Sequence, residues 1–110
     1  MNLADLLSFA RALPGVCEKP HHDLGSLRVR DRIFLTWPAD DSRVHIFVDP
    51  ERAAALAHEH PDVCSPLHWG AQIAGLRVVL PADAAKVEAW TEEAWARRAP
   101  ARLVKLRRGF

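Results

Sequence analysis

No uninterrupted apolar stretch in this 110-residue chain approaches the roughly 18 to 20 residues that a bilayer-crossing helix needs, so a membrane span is not expected. The first residues, Met1 to Asp5, carry an acid and no basic lead before an apolar stretch, which argues against a secretory signal. Cysteine is scarce. Cys17 and Cys64 stand far apart, a usage that fits reduced thiols in the cytoplasm better than a disulfide framework. Also missing are a glycine-rich phosphate loop, a serine nucleophile elbow, a metal-binding helix motif, internal repeats and linkers. The chain therefore reads as a single cytoplasmic domain over residues 1–110, with no membrane partner.

Acid is the next thing to run out. All 14 aspartates and glutamates lie within the first 93 positions, whereas Arg97, Arg98, Arg102, Lys105, Arg107 and Arg108 crowd the end. A basic segment of this kind suits phosphate, and it equally suits the negative ends of helix dipoles. Arginine's excess over lysine carries little weight, since alanine and arginine together can mirror codon usage.

What is present sets the fold. Leu3, Leu6, Leu7, Ala10 and Leu13 recur at helical spacing behind a capping Asn2, and Pro14-Gly15 ends the helix. Residues 16–49 switch to alternation, with Leu27 and Val29, then Val44, Ile46 and Val48, facing one way. This predicts a meander of three or four antiparallel strands, with a tight turn at Asp31-Arg32 and a polar loop over Ala39 to Ser42. Asp49-Pro50 opens a second helix that Pro61 stops. Residues 67–80 return to extended structure. A long helix from near Ala82-Asp83 presents Val87, Trp90, Ala94 and Trp95 on one side, and after Pro100 a short helix through Leu103, Val104 and Leu106 follows. The order predicts an α+β two-layer domain: a mainly antiparallel sheet with helices packed on one face.

Strand parity then points to chemistry. With Leu27, Val29, Val44 and Ile46 facing the helices, Arg28, Arg30, Arg43 and His45 share the opposite face as a small cationic patch. Cys17 to His21 and Cys64 to His68 repeat one spacing, and two thiols with two imidazoles suit zinc in number. Geometry opposes it, because Pro20 and Pro66 push both segments toward extended backbone, where each pair offers one ligand and no chelate. His21-His22 beside Asp23 carries the acid-base possibility, set against a solvated turn between strands. Nothing specifies a reaction, a catalytic residue or a metal site. In Ser65-Pro66-Leu67-His68-Trp69-Gly70, Trp69 is expected to fill a core edge and His68 to make a structural hydrogen bond.

Several ordered pieces resemble the MmcQ/YjbR family of small bacterial proteins. They are Phe9 to Val16 with Glu18, Pro20-His21-His22, Leu27 to Phe34, Pro66-Leu67-His68-Trp69-Gly70 and Glu93 to Val104. One departure is the lead Cys64-Ser65-Pro66-Leu67, where the family usually has basic or polar residues before His-Trp. The resemblance implies a compact domain of secretion-chaperone-like and frataxin-like shape, described as a double wing. Its members are commonly labelled DNA-binding, from a shape shared with a phage transcription factor's domain. It implies no catalytic residue and no cofactor.

Two functions follow as expectations. The first is a DNA-binding module whose phosphate contacts come from Arg28, Arg30, Arg32, Arg43 and His45 on the sheet and from Arg97, Arg98 and Arg102 near the end. The second is a protein-interaction or small-ligand module with an aromatic-lined groove formed by Trp37, His68 and Trp69, beside the last long helix. A monomer or weak dimer suits either. A histidine enzyme built on His21, His22 and His68 ranks well below both, because it needs all three in one pocket.

Overall fold

The computed structural model describes residues 1–109; Phe110, the last residue of the expected domain, lies outside them. Helix α1 (Leu3–Arg11) is followed by β1 (Val16–His21), β2 (Leu24–Val29), β3 (Arg32–Trp37) and β4 (Arg43–Ile46). Then come α2 (Pro50–Glu59), β5 (Cys64–Trp69), β6 (Gln72–Val79), α3 (Ala84–Arg98) and α4 (Ala101–Arg108). Among the described residues, no helix is long and apolar enough to cross a membrane.

Local chemistry sets the boundaries. Asn2, Asp49 and Asp83 cap α1, α2 and α3 by accepting from the backbone N–H groups of Asp5, Glu51 and Lys86. Such caps satisfy donors that a helix start leaves without partners. Gly109, at φ +79, closes α4 in the left-handed conformation.

The strands form one antiparallel sheet in the order β1-β2-β3-β4-β6-β5. β6 pairs with β4, so its hairpin partner β5 takes the far edge and α2 bridges β4 to β5. Two turns depart from expectation. The β2–β3 turn is Arg30-Asp31, one residue earlier than predicted, with both residues at positive φ. The predicted single extended run over 67–80 is a hairpin turning at Gly70, φ +62, with its first strand starting at Cys64.

Register explains the two faces. Leu27, Leu35, Ile46, Leu76 and Pro66 are successive partners across β2, β3, β4, β6 and β5. The first four join Leu3, Leu6, Leu7 and Ala10 of α1, Ala53 and Leu56 of α2, and Val87, Trp90, Ala94 and Trp95 of α3 in one buried cluster. That layer is the core. The neighbouring row reads Lys19, Ser26, Thr36, His45, Arg77 and Ser65 across all six strands, on the opposite face. A one-residue offset in register thus separates hydrocarbon from polar side chains.

Candidate functional site

The side of the sheet opposite the core layer carries a cavity of about 550 Å³. Its size falls in the range of small-molecule sites. Leu24, Ile33, Phe47, Leu67 and Trp69 supply apolar wall; Thr36 and His45 come from the polar row; Arg28, Arg32 and Arg98 line it as cations. The aromatic corner joins two distant segments, with the Phe47 and Trp69 rings 5.8 Å apart and tilted by 50°. Trp69 is 65% exposed, so the expected core-edge role is wrong. As the β5–β6 hairpin turns at Gly70, the indole before it stays at the cavity mouth rather than under a helix. His68 lines the same cavity, and its imidazole makes no hydrogen bond among the described residues, contrary to the structural bond expected of it.

The floor is built to be neutral. His45 is nearly buried and sits 3.0 Å from the Thr36 hydroxyl through Nδ1. The Arg43 guanidinium donates from Nε to His45 Nε2 at 3.4 Å. Because arginine only donates, Nε2 must accept, which puts the ring proton on Nδ1 and makes Thr36 Oγ1 its acceptor. Burial, followed by the charges of Arg43 and Arg77, pushes the imidazole down to about 4. His45 is therefore neutral at pH 7 and supplies no charge to a phosphate.

The carboxylate lining the wall is already engaged. Asp31 pairs with Lys19 at 3.1 Å and Arg28 at 3.5 Å, and the Lys19 hydrogen bond leads the effects holding it below the usual carboxylate range. Arg32 and Arg98, by contrast, have no carboxylate within ion-pair distance among the described residues. Burial first, then Arg97 and Arg32, lowers the Arg98 guanidinium from its ordinary value. Its Nε is buried with no hydrogen-bond partner among the described residues.

A second cleft, of about 460 Å³, is lined by Arg30, Arg32, Arg97, Arg98, Ala99 and Pro100. It shares Arg32 and Arg98 with the larger cavity. The structure thus gathers Arg30, Arg32, Arg97 and Arg98, with Arg28 on the wall of the larger cavity. Arg43 stands behind His45, Arg102 is exposed on α4, and neither lines either cleft.

Of the expected aromatic groove, Trp69 and His68 are present and Trp37 is not. Trp37 pairs with Gly25 on the core-side parity, and its indole lies where a Cβ at Gly25 would stand. His21 and His68 line the cavity, while His22 sits in the β1–β2 turn at φ 57. Among the described residues no three His, Cys, Asp or Glu side chains gather as metal ligands. Cys17 lies on β1 and Cys64 on β5, the two edges of the sheet. Five strand spacings, roughly 24 Å, separate such positions. Burial, ahead of nearby Asp62, pushes the Cys64 thiol up to about 11, leaving it a poor nucleophile.

Sequence reasoning missed Leu24, Ile33 and Leu67 in the wall. Phe47 gave a signal: it shares the outward parity of Arg43 and His45, where a large apolar side chain needs an explanation.

A family model described as YjbR matches residues 11–97. A solved Deinococcus radiodurans protein with the domain DUF419 is similar over 99% of this chain and 81% of its own, at TM-score 0.70 and 22% identity. A Pseudomonas syringae protein of known structure is similar over 89% of this chain and 99% of its own, at TM-score 0.62 and 15% identity. At these identities both likenesses speak to the fold alone. No curated protein matches.

Proposed function

The chain belongs to the YjbR family, and within that frame we propose that it is a binding module whose open sheet face takes a small organic anion with a flat apolar part. One observation carries this reading: a 550 Å³ cavity combines an exposed indole and a phenyl ring with two arginines, Arg32 and Arg98, that have no carboxylate partner among the described residues. Apolar walls supply affinity through area removed from water, and a few fixed charges supply orientation. The neutral floor at His45 and Thr36 adds directional hydrogen bonding without adding charge.

The probe is anilinonaphthalene sulfonate, an aromatic anion whose fluorescence rises when water is excluded. The native protein is expected to bind it saturably at one site. Trp69→Ala should weaken that binding by about tenfold, the scale of one lost aromatic contact. Its effect on stability should stay within about 0.5 kcal/mol, because Trp69 is mostly exposed. Binding unchanged by Trp69→Ala would place the probe elsewhere and defeat the proposal.

A second reading, a DNA-binding module, draws support from the gathering of Arg30, Arg32, Arg97 and Arg98 in one cleft. Against it stand a net charge of only +1, Asp31 beside Arg28, and a cleft lining that includes neither Arg43 nor Arg102. It predicts anisotropy changes with duplex DNA that fall steeply as salt rises from about 50 mM. No change at that salt would end it.

A further inference from the structure

We propose that Arg32 and Arg98 are the seat of a phosphoryl group, and that the ligand is a diphosphate ester lying across both clefts. This rests on the small-anion reading above and names the ligand's chemical class.

The two clefts meet at one pair of side chains, Arg32 and Arg98, which line both. On one side of that pair the wall is apolar and aromatic, with Phe47, Leu67 and Trp69. On the other side Arg30 and Arg97 are the remaining polar lining. A ligand that satisfies both sides has an organic group at one end, a terminal anion at the other, and an anionic link between.

Charge supports the same conclusion. Four guanidinium groups converge on the smaller cleft, and none has a carboxylate within ion-pair distance among the described residues. Arg97 gives one N–H to the Phe47 carbonyl at 3.1 Å, which anchors the end of α3 beside the aromatic corner. The negative end of α3 offsets part of this charge, since Arg97 and Arg98 occupy its last turn. Arg30 and Arg32 come from the β2–β3 hairpin, so the charge in this cleft is drawn from two separate segments. Arg98 keeps a buried Nε with no acceptor among the described residues. Buried polar atoms of this kind are uncommon, and an unbound partner is one of their recognised causes. Guanidinium groups meet phosphate oxygens in paired, parallel hydrogen bonds, so two arginines facing one space match a phosphoryl group better than a monovalent anion.

The test uses the whole protein, inorganic pyrophosphate as the probe, and NMR detection of the arginine Nε–H signals. Pyrophosphate should shift the signals of Arg32 and Arg98 saturably and bind at least tenfold tighter than chloride or sulfate. Arg32→Gln alters an exposed side chain and should fold normally. It should weaken pyrophosphate by tenfold or more, and Arg98→Gln should do the same. Trp69→Ala should change pyrophosphate binding less than twofold while weakening the aromatic sulfonate about tenfold, and Lys105→Gln, at an exposed position of α4, should change neither. Pyrophosphate that moves neither arginine, or that weakens equally in Lys105→Gln, overturns the proposal. The small-anion reading fails separately, through loss of the Trp69 dependence of sulfonate binding.

Discussion

His45 shows how one residue's surroundings decide its role. In an unfolded chain its imidazole titrates near the ordinary histidine value of about 6.5, but in the fold it is pushed down to about 4. Between those values the unfolded chain holds the extra proton, so stability falls as pH drops from about 6.5 toward 4 and is unaffected by this group above that window. The slope reaches at most about 1.4 kcal/mol per pH unit. Urea denaturation at pH 7 and pH 5 should show a loss on the order of 1 to 2 kcal/mol from this residue. His45→Asn should flatten the dependence, whereas an equally steep variant would assign it to other groups. Arg98 is a second case. Its orphaned Nε opposes folding by about 1 to 3 kcal/mol, and a cation at a helix end returns about 0.3 to 1 kcal/mol. The larger effect should win, so Arg98→Met, which keeps an unbranched chain, is expected to raise stability by about 1 kcal/mol. A lower melting temperature would show that the guanidinium holds the fold rather than strains it.

Elements differ in how far local chemistry determines them. The caps Asn2, Asp49 and Asp83 and the apolar stripe of α1 are local signals, and each helix starts where those residues predict. The β5–β6 hairpin was not legible. Gly70-Ala71 offers a glycine at the first position of a two-residue turn but not the stronger Asn-Gly or Asp-Gly signal, and a register shift between Leu67 and His68 breaks the alternation that would mark a strand. The β2–β3 turn was displaced by one residue for a related reason. Arg30 and Asp31 both adopt positive φ, at 51 and 63, where asparagine and glycine are preferred and arginine is a poor fit. Such a conformation costs on the order of 1 kcal/mol for a residue with a Cβ. Arg30→Asn should therefore stabilise the protein by about 0.5 to 1 kcal/mol, read as a rise in denaturation midpoint at unchanged slope. Under the diphosphate proposal the same change weakens pyrophosphate. A variant less stable than the native protein would mean that Arg30 is held by contacts rather than tolerated.

For the molecule as a whole, the α+β class and the two faces of the sheet followed from periodicity, because burial on one face imposes period two. The site did not follow so directly. Arg28, Arg43 and His45 could be put on the open face by parity alone, yet that Arg43 serves His45 while Arg28 lines the cavity depends on neighbours from other strands. Nothing local says that the end of α3 meets the start of β3, and that meeting brings Arg98 to Arg32. Nor does local sequence separate Trp69 at a cavity mouth from Trp90 and Trp95 in the core. The four tryptophans turn this difference into a direct measurement. Their indole N–H groups give four separable NMR signals, one at the proposed site and three elsewhere. On titration with anilinonaphthalene sulfonate, the Trp69 signal should shift saturably while those of Trp37, Trp90 and Trp95 hold still. A Trp69 signal that does not move, or a larger shift at Trp90 or Trp95, would contradict a ligand site on the open face of the sheet.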